Sequence, residues 1–172
     1  MVNVEKPHNE DIKKLNELIK DIETAMLVTA DTDGTLRSRP MGTQQIESDG
    51  DLWFFTGKNS GKTHAIEHDQ HVNISYSSPK DNRYVSVSGR AEIIDDKKKI
   101  EELWNPMLKA WFPEGIEDPN ITLIKVNVEQ AEFWDIKSST MIQLAGFVKA
   151  IFSGKQIQPD KSQHDKINLG KH

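Results

Sequence analysis

Short apolar runs broken by turn residues recur along most of this chain, and that rhythm limits its fold more than any single motif. Ala25 to Ala30, Leu52 to Thr56, His71 to Ser77, Tyr84 to Ile94, Ile121 to Val128 and Ala131 to Asp135 are rich in β-branched or aromatic residues. Between them lie Asp31-Thr32-Asp33-Gly34, Ser48-Asp49-Gly50 and Pro79 to Asn82, whose side chains or missing Cβ favour turns. With a return strand from Thr35 to Glu47, the count is six or seven strands in hairpin-like succession with helices inserted. That order predicts a mainly β fold, an antiparallel barrel with helical cover, rather than a parallel doubly wound sheet.

Ile12, Leu15, Leu18, Ile19 and Ile22 recur at helical spacing after Asn9, which predicts an amphipathic helix from Glu10 to Ile22. A short helix follows Ser60 and runs through Glu67, and Asp95 or Asp96 caps another that reaches about Lys109. Met141, Ile142, Leu144, Ala145, Val148 and Ile151 predict a helix beginning near Ser138 and ended by Gly154. Pro40 cannot donate to a ladder and marks an edge strand or bulge, and Gly89 marks a bulge or sharp bend. At 172 residues the chain is expected to form one domain, residues 1–153, followed by a polar tail, 154–172.

Several function classes are set aside by composition. There is no cysteine, so no disulfide, thiolate metal site or thiol nucleophile, which suits a reducing cytoplasm. No 18-residue apolar run or secretory pattern is present, so a cytoplasmic protein with no membrane association is expected. A net charge of −5 argues against nonspecific nucleic-acid binding. Lys97, Lys98 and Lys99 sit between Asp95-Asp96 and Glu101-Glu102 and read as a solvated helix face.

The chemistry concentrates in Leu52 to Lys62, LWFFTGKNSGK, where an aromatic strand passes into hydroxyl, glycine and lysine residues. Thr56, Ser60 and backbone N–H groups can bind a phosphate whose charge Lys62 offsets, while Trp53, Phe54 and Phe55 can line a slot for a flat ring. Ser60 reads equally as a helix cap. Gly61-Lys62-Thr63 invites a nucleotide-triphosphatase reading, but Gly57 and Gly61 enclose three residues where that loop requires four. Alternation puts Arg37, Arg39 and Met41 on one strand face, a candidate ligand site beside Pro40. His64, His68 and His71 cluster without a further ligand pattern, and no metal is expected. With no nucleophile elbow visible and no catalytic residue assignable, any reactive atom is a cofactor's. Flavin mononucleotide matches the inventory: its phosphate suits Lys62 and Ser60, and its pyrimidine edge suits amides such as Gln44 or Gln45.

Taken together, Arg39-Pro40-Met41, Phe55-Thr56 with Ser60 and Lys62, Tyr84 to Gly89, Trp111 to Gly115, and Glu132-Phe133-Trp134-Asp135 with the later His164 resemble a known family. The chain is similar, from about Asp21 to Leu169, to the flavin-binding split barrels related to pyridoxamine 5′-phosphate oxidase, and within them to the general stress protein group. The resemblance implies an antiparallel split β-barrel with peripheral helices, and a homodimer with FMN, or FAD, at the subunit interface. Arg39, Pro40, Met41, Gln44, Phe55, Thr56, Ser60 and Lys62 are then cofactor-binding candidates. Trp111 and Trp134 are candidates for reaching the flavin or its substrate pocket. In the oxidase a second basic residue precedes the lysine, where this chain has Gly61, and a C-terminal tryptophan and arginine segment has no counterpart here. Pyridoxamine phosphate oxidation is therefore not the expected activity.

The expected function is a flavin-dependent oxidoreductase of the general stress type, passing electrons between a small-molecule donor and an unidentified acceptor. The alternative is a module that binds or senses flavin without turnover. A third reading is a split barrel that has lost its flavin and binds haem or another ligand, with His64 or His68 as the axial candidate.

Overall fold

The computed structural model describes residues 9–42, 44, 50–135 and 164–169. In chain order the elements are α1 (Asn9–Ile19), β1 (Thr24–Ala30), β2 (Leu36–Gly42), β3 (Leu52–Gly57), α2 (Gly61–His68), β4 (His71–Ser78), β5 (Arg83–Ile94), α3 (Lys97–Leu103), β6 (Ile121–Asp135) and β7 (His164–Asn168). Short 3₁₀ turns occupy Pro79–Asp81, Pro106–Ala110 and Gly115–Glu117.

Among the described residues seven strands form one antiparallel sheet in the order β2-β1-β4-β5-β6-β3, with β7 also on β6. The end strands β2 and β3 come back into contact, so the sheet curls into a split barrel. Pro40 sits on β2, an end strand, as its missing N–H requires. The turn from β1 to β2 places Gly34 at φ 81°, a conformation that favours glycine.

One face of the curled sheet holds the main core. Leu27, Ile74, Val87 and Ala131 stand in one row across β1, β4, β5 and β6, each fully buried. Ile12, Leu15, Leu18 and Ile19 of α1 cover this face, as their helical spacing predicts, and Ile22 packs with them although α1 ends at Ile19. A second cluster forms behind β3, where Trp53, Phe55, Ile121 and Leu123 meet Ile100 of α3 and Phe112. β3 is therefore buried on both faces, which explains an unbroken aromatic run on an end strand.

Four differences from the sequence reading have identifiable physical causes. The helix expected to reach Lys109 stops at Leu103, because Pro106 pushes Asn105 out of helical conformation and Asn105 caps a separate 3₁₀ turn. Lys99 is not a solvated lysine: its ammonium lies 5.0 Å from the Trp53 ring centroid. The two strands expected at Ile121 to Val128 and Ala131 to Asp135 are one, β6, whose alternation breaks at a bulge. Ser88 faces Gln130 while Gly89 faces Val128, leaving Glu129 as the extra residue. Last, residues 164–169, which read as part of a polar tail, run along β6, with 164–168 paired to it as β7, and send Ile167 and Leu169 into the main core. β6 has room for this because β3 occupies the same edge only over residues 121–126, leaving 130–134 to β7. The helix predicted from Ser138 to Gly154 lies outside the described residues.

Candidate functional site

The chain turns from β3 into α2 through residues 58–60, and that turn meets the inner face of β2. Ser60 is the N-cap of α2, with extended backbone (φ −80°, ψ 151°) and a hydroxyl that accepts the Thr63 amide at 3.3 Å. Its oxygen also lies 3.2 Å from Thr56 Oγ1 and 2.8 Å from Thr63 Oγ1. Thr63 in turn donates its hydroxyl to the Gly57 carbonyl at 2.9 Å. The first two amides of α2, those of Gly61 and Lys62, have no backbone acceptor among the described residues, as expected for a helix start.

Arg39 reaches this corner from β2. One guanidinium nitrogen donates to buried Thr29 Oγ1 at 2.7 Å. The other lies so close to α2 that a Cβ on Gly61 would be 3.8 Å from it. Asp31 is 4.0 Å from that guanidinium and pairs more closely with Arg37, at 2.5 Å. Lys62 is partly buried, and burial first, then the Arg39 guanidinium, hold its ammonium below the usual lysine range. Among the described residues no carboxylate pairs with it. Two cations and two open N–H groups thus converge at the positive end of a helix, an arrangement that an anion completes.

The structure brings Arg39, Thr56, Ser60 and Lys62 together. Gln44 and Trp111 meet elsewhere, in a groove of about 760 Å³ also lined by Ile19, Ile22, Gly42 and Leu108. Gly42 lies three residues beyond Arg39 on β2, roughly 10 Å along the strand, so one strand links the corner to the groove. Trp111 is 80% exposed at the groove edge. Met41 is buried in the main core and Pro40 is exposed on the opposite face of β2.

Phe55 and Trp134 do not join the corner. Phe55 turns to the opposite face of β3 from Thr56 and packs edge-on against Trp104, centroids 6.1 Å apart. Trp53 shares that cluster, while Phe54 lies in the main core, so the three aromatics do not line one slot. Trp134 stacks on His164, centroids 5.0 Å apart. It lies twelve residues along β6 from Thr122, the partner of Thr56, which is roughly 40 Å of strand. His64 faces Glu67 at 3.7 Å and His71 bonds Asp69 at 2.8 Å. Thr29, and Thr63 beyond its place in Gly61-Lys62-Thr63, carry no sequence signal for these roles, since a threonine inside a strand or a helix gives no local sign of what its hydroxyl holds.

The chain matches the family model described as "Pyridoxamine 5'-phosphate oxidase like" over residues 10–159. It is 31% identical to Protein bli-3 of Neurospora crassa over 170 residues, covering 93% of this chain and 81% of that protein. Among solved structures it resembles the general stress FMN/FAD binding protein of Xanthomonas citri, at 33% identity and a TM-score of 0.62, covering 75% of this chain and 90% of that one. General Stress Protein 26 of Bacillus anthracis is similar at 30% identity and a TM-score of 0.62, covering 73% of this chain and 92% of that one.

Proposed function

The chain belongs to the pyridoxamine 5′-phosphate oxidase-like family, and from that we propose that it binds FMN as a homodimeric, cytoplasmic flavin-dependent oxidoreductase of the general stress type. The observation that carries this reading is the corner formed by Arg39, Lys62 and the first amides of α2, where among the described residues Lys62 pairs with no carboxylate and Arg39 has only Asp31, 4.0 Å away and closer to Arg37. A phosphate monoester carries about −1.5 to −2 charges at neutral pH, which two adjacent cations match. FAD carries about the same charge on the two linked phosphates of a diphosphate, with an adenosine beyond them, so a compact corner at one helix start suits the terminal monoester of FMN better. The Xanthomonas relative, described as FMN/FAD binding, supports the cofactor class.

A bound flavin ring would supply reversible electron transfer, which no side chain here can. The protein's part is to anchor and orient. Arg39 and Lys62 neutralise the phosphate, Thr29 holds the Arg39 guanidinium in place, and Gln44 with the apolar groove beyond Gly42 offers hydrogen bonds and contact to a planar edge. Among the described residues lining the groove the one cation, Lys20, is already 2.6 Å from Glu17, and Glu23 adds a carboxylate. That argues against a second phosphate there.

The homodimer is supported by two features. Leu36, Met26 and Tyr84 stand exposed on the outward face of the sheet, at 70%, 37% and 42%. Trp134 shares that outward face, far along β6 from the Thr56 end, so a flavin touched by both would need the second chain. The test is a visible spectrum of the purified protein followed by anaerobic titration with NADH and NADPH. Two flavin bands, bleached by the donor and restored over many turnovers by an acceptor, are expected. Bleaching without multiple turnover would favour the sensing module, and a preparation that stays colourless after soaking in FMN and FAD would overturn the cofactor reading.

A further inference from the structure

We propose that Thr63 sets how tightly the corner at the head of α2 holds a phosphate monoester, by engaging the one hydrogen that Ser60 could donate to it. The inference rests on the flavin-phosphate reading above and deepens it.

The direction of each hydroxyl follows from counting hydrogens. The Gly57 carbonyl can only accept, so the 2.9 Å contact takes the single hydroxyl hydrogen of Thr63. At the 2.8 Å contact between Ser60 and Thr63, Ser60 must then be the donor. With that hydrogen committed, Thr56 must be the donor at the 3.2 Å contact with Ser60. The chain runs one way, from Thr56 to Ser60 to Thr63 to the Gly57 carbonyl. Ser60 Oγ is saturated, because it also accepts the Thr63 amide.

A phosphate dianion is acceptor-only toward these groups. To reach it, Ser60 must turn its hydrogen away from Thr63, leaving two oxygens face to face with no proton between them. The bond that Ser60 gains is offset by the one it gives up. Thr63 is 3% exposed and does not itself open to the corner, so it acts through Ser60 as a positioning residue. Replacing its hydroxyl by a methyl group frees the Ser60 hydrogen while leaving the cap in place. The Gly57 carbonyl keeps a donor in the Ser60 amide, at 3.2 Å.

The test is calorimetric titration of flavin-free protein with FMN and with riboflavin, which lacks the phosphate. Thr63→Val is expected to bind FMN about fivefold more tightly, the worth of one net hydrogen bond, with riboflavin affinity unchanged. Thr63→Ser restores the oxygen and returns FMN binding to the wild-type value. In a Ser60→Ala background the Thr63→Val gain disappears, an outcome that a merely structural role for Thr63 would not give. Equal or weaker FMN binding by folded Thr63→Val, or a gain that persists with riboflavin or without Ser60, overturns the inference. Thr63→Ala carries the same test if the valine variant does not fold. Wild-type protein that binds neither flavin would instead overturn the cofactor reading, and the inference with it.

Discussion

Lys62 is held where its own charge is unfavourable. Burial and the Arg39 guanidinium both lower its proton affinity in the folded chain, so between the folded and unfolded pKa values stability rises with pH, and at neutral pH the charged lysine destabilises the fold. Lys62→Met, which keeps the apolar stem, should raise the melting temperature of the flavin-free protein while weakening FMN binding by about ten- to a hundredfold, the loss of one charge-assisted hydrogen bond. Wild-type affinity should likewise fall as pH rises through the lowered Lys62 pKa, and that fall should vanish in the methionine variant. A variant that is less stable and binds FMN unchanged would remove Lys62 from the site. At this scale the sequence was informative about residue types but not about proton direction. Ser60 read equally as cap or phosphate ligand, and in the fold one oxygen caps α2 while sitting at the head of the cationic corner. Which way its hydrogen points depends on Thr63 and Gly57, and hence on the closed turn rather than on local pattern.

Among the elements, the bulge between β5 and β6 shows both what alternation reveals and where it misleads. Inward residues stop at Val128 and resume at Ala131, three positions on instead of two, so a single long strand reads as two. The freed carbonyl of Glu129 then accepts the Leu169 amide at 2.8 Å, turning the irregularity into the point where the C-terminal strand attaches. Gly89 is required on the opposite strand for a different reason. A Cβ there would lie 2.3 Å from the Asn127 carbonyl oxygen, a backbone atom in the middle of a ladder that cannot move aside alone. Gly89→Ala should therefore cost about 2–3 kcal/mol, the scale of forced overpacking, read as a lower urea midpoint at unchanged slope. A loss below the error of the measurement would mean that the strands separate there more easily than their register suggests. α3 and Lys99 teach the same lesson. Composition reads a lysine run as solvated, but the aromatic ring that Lys99 covers comes from a strand more than forty residues earlier and is invisible to a local window.

For the whole molecule, the strand count and antiparallel order were legible because each hairpin announces itself locally, whereas attachment of the C-terminal strand was not. Only the i, i+2 spacing of Ile167 and Leu169 in a polar stretch hinted at it, and their partners lie some forty residues away on β6. Ile167→Ala should thus behave as a core truncation, costing about 2–4 kcal/mol in chemical denaturation, where a dangling tail would show no effect. The proposed second chain is the other feature that one sequence cannot display, and here the long β6 makes a sharp test available. If each flavin takes Lys62 from one chain and Trp134 from its partner, a Lys62→Met chain paired with a Trp134→Ala chain has one site carrying both substitutions and one carrying neither. Random reassembly of equal amounts makes half of the dimers mixed, so about a quarter of all sites should regain wild-type FMN affinity, although each variant alone binds weakly. If both residues served the same site from one chain, every site in the mixture would carry one lesion and no tight binding would return. Counting tight sites by flavin fluorescence quenching after unfolding and co-refolding separates the two arrangements.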